Sequence, residues 1–317
     1  MTKRRRARPG VLALMIGVPA SVAALSAGHA FASPAPQPIR ITPRSQHIPY
    51  GHELTVTGSE SAADAGHTVA LQFAAPGATS WQELSSSTVD GNGRFRLTGA
   101  PVRSGVVRAV DSSTGALTAF VAGSGTEATG LTSSPVPVDV EAAMRVGARR
   151  IAVLTGQTVR IAGRLLPALR GRKVSLQAHQ NGAWRTLATS RTGAAGRFVL
   201  RYLTGSAGQA PLRVRFAGDH VNGRAAVRAG EMTVYREADA SWYEDAGNTA
   251  CGFHAYYGVA NRSLPCGTSV SFRYNGRSVT ATVDDRGPYV GGRDWDLNQN
   301  TANALGFGGV GTVWSSQ

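Results

Sequence analysis

Cysteine is nearly absent from this chain of 317 residues, which has only Cys251 and Cys266. No CxxC spacing occurs and only His254 lies near the pair, which argues against the common Cys/His zinc modules. Long apolar runs are also missing. Beyond the first 32 residues nothing approaches the roughly 18 consecutive apolar residues of a membrane-crossing helix. Acidic residues are scarce, 19 against 33 Lys and Arg, for a formal charge of +14. Aromatic residues make up 7% of the chain and are not interleaved with the basic ones. With no helix-turn-helix or zinc pattern, that excess charge does not describe a nucleic-acid binder.

The amino terminus bears on compartment. Lys3, Arg4, Arg5, Arg6 and Arg8 form a cationic region, Val11 to Leu25 an apolar stretch, and Ala30-Phe31-Ala32 a small-x-small cleavage pattern. That order predicts an export signal over residues 1–32 and no transmembrane anchor after its cleavage. In an exported chain, an even cysteine count favours a Cys251–Cys266 disulfide. Closing its loop of about 15 residues would contribute about 3 kcal/mol. Charge is unevenly spread beyond the signal. Ser33 to Glu237 holds 23 basic and 12 acidic residues, whereas Ala238 to Gln317 holds five and seven. The basic part is suited to anionic wall polymers or membrane surfaces.

The middle of the chain is a repeat. Gly51-His52-Glu53-Leu54-Thr55-Val56-Thr57-Gly58 recurs as Gly156-Gln157-Thr158-Val159-Arg160-Ile161-Ala162-Gly163. In register, Gly66 to Gln72 matches Gly171 to Gln177, and Gly93-Arg94-Phe95-Arg96-Leu97 matches Gly196-Arg197-Phe198-Val199-Leu200. Each copy reads as short alternating strands split by Gly, Asn and Asp turns, the pattern of a β-sandwich of about 100 residues. Trp81 and Trp184 are expected to pack in the two cores. Neither copy shows clustered acids, so both are read as spacers or binding modules. The copies resemble bacterial immunoglobulin-like domains. Gly123 to Ser134 marks the join between them, and Arg236 to Ala240 the join to a third, C-terminal domain.

The last eighty or so residues carry the chemistry. Val283-Asp284-Asp285-Arg286-Gly287-Pro288-Tyr289-Val290, followed by Arg293-Asp294-Trp295-Asp296-Leu297, crowds four carboxylates and two arginines around a forced turn. Two acids on one rim are what acid/base chemistry at a sugar linkage needs. Alternating runs at Ala240–Tyr243, Ser269–Tyr274, Ser278–Val283 and Val310–Trp314 predict strands, and Asn275-Gly276 predicts a hairpin turn. Thr301 to Leu305, stopped by Gly306, predicts the one helix. Asp284 and Asp285 can also be read as turn caps, and Arg293 with Asp294 as a solvated pair.

Five ordered blocks carry a family resemblance: Ala240-Ser241-Trp242-Tyr243, Asn261 to Thr268, Asn275 to Val279, Asp285-Arg286-Gly287-Pro288-Tyr289, and Asp296-Leu297. Together they resemble the RlpA-like double-psi β-barrel family, which includes septal lytic transglycosylases and, more distantly, expansins. The resemblance covers about a quarter of the chain. It implies, over 238–317, a six-stranded double-psi β-barrel with one short helix; with the signal read over 1–32 and the immunoglobulin-like sandwiches over 33–134 and 135–237, the expected protein is all-β.

It also implies roles. Asp285 matches the family's catalytic acid and Asp296 its second acid, while Ser241, Tyr243, Asn261, Arg286, Tyr289 and Trp295 are expected to contact substrate. The reaction implied is cleavage of peptidoglycan glycan strands with 1,6-anhydro product formation, with no metal and no organic cofactor. The expected setting is secreted and associated with a bacterial cell wall. In one respect the chain departs from its family: lytic members carry histidine where Asn261 stands. Asparagine can position a sugar hydroxyl but cannot shuttle a proton. A non-catalytic, expansin-like module that binds and loosens wall polysaccharide is therefore the alternative.

Overall fold

The computed structural model of the chain describes residues 39–113, 131–147, 149–244 and 247–317. The export signal expected over 1–32 and most of the join expected at Gly123–Ser134 lie outside the described residues. The remainder is built from strands, with one α-helix among the described residues. No described helix is long and apolar enough to cross a membrane.

The first sandwich is immunoglobulin-like and contains β1 (Arg40–Pro43), β2 (His47–Pro49), β3 (Leu54–Ser59), β4 (Thr68–Ala74), β5 (Gln82–Thr88), β6 (Arg94–Gly99), β7 (Gly105–Asp111) and β8 (Val136–Glu141). Its two sheets run β1-β3-β6 and β2-β8-β7-β4-β5. Strict alternation in β6 sends Phe95 and Leu97 inward, where they join Val56 of the same sheet and Leu71 and Val107 of the facing one. Pairing of β8 with β7 and β2 places Val136–Glu141 in this sandwich. Its last strand therefore lies beyond the boundary expected at residue 134.

The second sandwich repeats the plan with β9 (Ala143–Val146), β10 (Arg149–Leu154), β11 (Thr158–Leu166), β12 (Lys173–Gln180), β13 (Ala183–Arg191), β14 (Arg197–Leu203), β15 (Gly208–Phe216) and β16 (Ala225–Tyr243). One sheet is β14-β11-β9, and the other holds β13-β12-β15-β16 with β10 parallel to β16. The repeated glycines have a packing cause. A Cβ on Gly58 would lie 2.3 Å from the Phe95 ring, and one on Gly163 would lie 2.5 Å from the Phe198 ring. Each phenylalanine of the Gly-Arg-Phe turn thus lies across its partner strand's glycine.

Two expectations fail here. Trp81 and Trp184 are not core residues. Arg108 lies 4.0 Å over the Trp81 ring and Arg213 lies 4.1 Å over Trp184, which is 36% exposed. Trp184 sits on β13, the edge strand of its sheet, and stacking under guanidinium supplies the cover that a second sheet would otherwise give. Nor is the first copy free of clustered acids: Glu60, His67 and Asp111 converge at one end of it.

β16 does not stop at Arg236–Ala240. It continues as one strand of 19 residues out of the second sandwich and into the C-terminal unit. There it joins β17 (Gly258–Ala260), β18 (Ser269–Tyr274), β19 (Arg277–Asp285), β20 (Trp295–Asn298), α1 (Gln299–Leu305) and β21 (Gly311–Ser315). The pairings run β16–β20–β17–β19–β18–β21 and return to β16, which gives the six-stranded barrel its ring. Two pairs, β16–β20 and β17–β19, are parallel. Asn275 and Gly276, at φ 44° and 81°, make the tight hairpin between β18 and β19. Asn298 caps α1 by accepting the Thr301 amide at 2.9 Å, and Gly306 ends it at φ 69°. Where β16 crosses between domains, Tyr235 packs on Trp314 at 6.0 Å and Gln209 donates to Ser271.

Candidate active site

The site is made by a bulge. Val283 pairs with Val259 and both are buried in the barrel core, so by strand alternation Asp285 would also point inward. Instead the register shifts after Val259, and Asp284 and Asp285 together oppose the single residue Ala260. The extra residue turns Asp285 onto the face that Ala260 occupies. Ala260 also pairs with Asp296, and Asp296 with Ser241. Asp285, Ala260, Asp296 and Ser241 therefore form a row across four adjacent strands. Strand spacing puts the two acids' backbones about 10 Å apart across a small central residue.

Asp284 fastens the bulge. Its side chain is fully buried, and its carboxylate accepts the amides of Ala255 at 2.9 Å and Val259 at 3.1 Å. Burial nonetheless holds this carboxyl above its ordinary value, against those hydrogen bonds. Gly258 has to be glycine here, because a Cβ would sit 2.3 Å from the Asp284 carboxylate. This acid is a brace and has no access to substrate.

The two remaining acids of the row differ in environment. Asp285 Oδ1 accepts the amides of Ala250 and Arg286, both at 2.8 Å. Asp296 is half-buried, and its Oδ1 accepts the Ser241 hydroxyl at 2.7 Å. Burial lifts Asp296 above its ordinary value; Ser241 and Arg293 pull it down, and the Asp285 carboxylate adds to the lift.

A disulfide holds the wall of the site. Cys251 and Cys266 are bonded, with Cα atoms 5.7 Å apart. Cys251 donates its amide to the Asp284 carbonyl, and the neighbouring Ala250 amide reaches Asp285. Among the described residues Arg286 pairs with no acid. Its guanidinium donates to the carbonyls of Asn261 and Leu264 and to Cys266 Sγ, tying the turn to the 261–266 loop. Asn261 accepts the Ser263 and Leu264 amides and donates to the Asp294 carbonyl, so its amide group is committed to the local turn. Asp294 pairs with Arg236 rather than with Arg293.

The aromatic expectations divide. Trp295 is 1% exposed and packs edge-on against Phe272 at 5.1 Å, so it cannot stack on a substrate. It stands beside Ala240 on the inward face, one residue out of phase with Asp296. Tyr243 follows Ser241 by two residues and is partly exposed, and Tyr289 on the Gly287-Pro288 turn is 83% exposed. Sequence reading passed over Phe253, Tyr256 and Tyr257, which stand exposed on the disulfide-bounded loop, the two tyrosines edge to face at 4.9 Å. Their signal was an aromatic pair in a stretch with no strand alternation.

Residues 235–314 match the lytic transglycolase family model. Over 95 residues the chain is 42% identical to a probable endolytic peptidoglycan transglycosylase RlpA of Aquifex aeolicus, covering 26% of this chain and 42% of that protein. Proteins of the same description from Synechocystis sp. and Nostoc sp. are 46% and 48% identical over 59 and 57 residues; each match covers 17% of this chain. The matches span 18% and 15% of those two relatives. Among solved structures, the D0–D1 domain of intimin aligns at 12% identity and TM-score 0.22, covering 60% of this chain and 96% of that one. A chimeric titin Z1Z2 tandem aligns at 16% identity and TM-score 0.23, covering 62% and 99%. The bulge, the Asp285–Ala260–Asp296–Ser241 row and the disulfide-held loop all fall within the matched segment of this RlpA-like barrel.

Proposed function

We propose that the RlpA-like barrel is a lytic transglycosylase acting on peptidoglycan glycan strands. The observation that carries this reading is the row of Asp285, Ala260, Asp296 and Ser241 across four strands, with two carboxyl groups in unlike environments. Chemistry at a glycosidic bond needs one group that gives a proton and one that takes a proton. Asp296, lifted by burial, is suited to protonate the departing glycosidic oxygen. Asp285, aimed by the bulge and oriented by the amides of Ala250 and Arg286, is placed to take the proton from the muramyl 6-hydroxyl. As that oxygen bonds to C1, the C1–O4 bond breaks; the proton from Asp296 stays on O4, and no water is consumed. The role assigned to Asp285 alone on sequence is here divided between two residues.

The chain as a whole is proposed to be exported by its amino-terminal signal and to work at a bacterial cell wall. Its basic sandwiches would hold anionic wall polymers while the barrel meets the glycan. Tyr289, Tyr256 and Tyr257 offer exposed ring faces for sugars.

The second reading, an expansin-like binder, draws on Asn261, whose amide is taken up by the turn and which supplies no proton relay. Incubation with purified glycan strands separates the two. Release of 1,6-anhydromuramyl ends by wild type, abolished in Asp285→Asn and Asp296→Asn, supports cleavage. Retention of glycan with no anhydro product from wild type would leave the binder.

A further inference from the structure

At one end of the first sandwich, three side chains from separate elements converge. Glu60 follows β3, His67 precedes β4, and Asp111 closes β7. One donor atom from each lies within 4.8 Å of the other two. His67 Nδ1 is 2.9 Å from Asp111 Oδ2, and Asp111 Oδ1 accepts the Ser113 amide. Glu60 stands apart from this network: both its carboxylate oxygens are sealed from solvent and accept no hydrogen bond from the described residues. A carboxylate buried without a partner is costly, and a proton or a bound cation relieves that cost.

The second sandwich shows that the fold does not require these residues. By the repeat register, Glu60, His67 and Asp111 correspond to Leu165, Arg172 and Phe216; Val69 pairs with Asp111 as Val174 pairs with Phe216. In that copy Leu165 is buried, and the Arg172 guanidinium lies 4.4 Å over the Phe216 ring. The same corner is thus closed there by an apolar side chain, by stacking and by the paired hydrogen bonds of Arg172 to Asp219, with a further one to Asn222.

We propose that Glu60, His67 and Asp111 bind a divalent transition-metal ion, zinc foremost, which joins the two sheets of the first sandwich. Glu60 leaves a strand of one sheet, and His67 and Asp111 flank strands of the other, so an ion among them bridges the sheets. One imidazole with two carboxylates is a borderline N/O donor set of the kind zinc accepts, with solvent completing four-coordination. Calcium takes six to eight oxygen ligands, and this corner offers no such number. Two donors on one tetrahedral zinc ion stand about 3.3 Å apart, so the His67–Asp111 spacing is near that value and Glu60 needs only a small closing movement.

The test uses the untagged full chain, stripped with a chelator and titrated with zinc chloride by calorimetry. One equivalent should bind and raise the melting temperature, and Glu60→Gln and His67→Ala should each weaken binding by roughly tenfold or more. A chain carrying Glu60→Leu, the residue of the second sandwich at that position, should fold and bind no zinc there. Cobalt(II) added to the unaltered chain gives a visible spectrum that reports imidazole and carboxylate ligation without any variant. Absence of saturable binding, wild-type affinity in Glu60→Gln, or preference for calcium or magnesium over zinc would overturn the proposal.

Discussion

Replacing Asp284 by alanine tests the brace that aims Asp285. The substitution strips the acceptor from the Ala255 and Val259 amides, which meet the carboxylate at 2.9 and 3.1 Å inside a fully buried site. A stranded buried amide costs about 1–3 kcal/mol, so two cost about 2–6 kcal/mol. Removing a carboxylate that burial already disfavours offsets part of this, and the expected loss is about 3 kcal/mol. For a barrel of this size that lowers the melting temperature by on the order of 10–20 °C. Urea unfolding followed by tryptophan fluorescence measures it, since Trp295 is buried in the barrel core. Asp285→Asn is the control, because its remaining side-chain oxygen still accepts the Ala250 and Arg286 amides; it should fall within about 1 kcal/mol of wild type. Asp284→Asn adds a pH arm. Burial raises the folded-state value of Asp284, so its contribution to stability is full below the unfolded value near about 3.9. That contribution is lost as pH rises through the folded value, and the gap between wild type and Asp284→Asn should shift accordingly. If Asp284→Ala unfolds like wild type, or turns over glycan at the wild-type rate, Asp284 does not fasten the bulge.

Further outcomes rest on the same contacts. Ser241→Ala removes the hydroxyl that lowers Asp296, so the alkaline limb of the pH–rate profile for anhydro-product release should move to higher pH; an unmoved limb would mean that Asp296 is not the proton donor. Reduction of the Cys251–Cys266 bond should cost about 3 kcal/mol by chain-entropy reasoning and slow product release, because the loop carrying Ala250 then has its anchor only in hydrogen bonds; melts with and without reductant read the first, and the glycan assay the second. Trp295→Ala should destabilise the barrel by about 3–5 kcal/mol, as loss of a buried core ring does, whereas Tyr289→Ala should leave unfolding unchanged and weaken glycan retention in a pull-down.

Much of this organisation was legible in the chain itself. The paired glycines and Gly-Arg-Phe turns announced two copies of one sandwich because each Phe ring needs its facing strand to lack a Cβ. Asn275-Gly276, the run into Gly306 and the four longer strands of the barrel were set by local rules, since turn dihedrals and alternation act over a few residues. Strands β17 and β20 span Gly258–Ala260 and Trp295–Asn298, too short to show a period, and they are the strands that carry Ala260 and Asp296. The burial of Trp295 and exposure of Trp184 were equally hidden, because one aromatic in an alternating run does not say which face is covered.

Sequence alone determined that Asp285 and Asp296 stand in an RlpA-like segment around a Gly-Pro corner, and that the two cysteines form a natural pair. Tertiary structure decided where those acids stand. A bulge braced by Asp284 turned Asp285 out of the core and into line with Asp296, and it committed Asn261 and Arg286 to holding the turn. It also brought Glu60, His67 and Asp111 together from the ends of three strands. The reason is the same in both places: alternation and turn chemistry are local properties of a chain, whereas which side chains meet is settled by strand pairings between residues far apart along it.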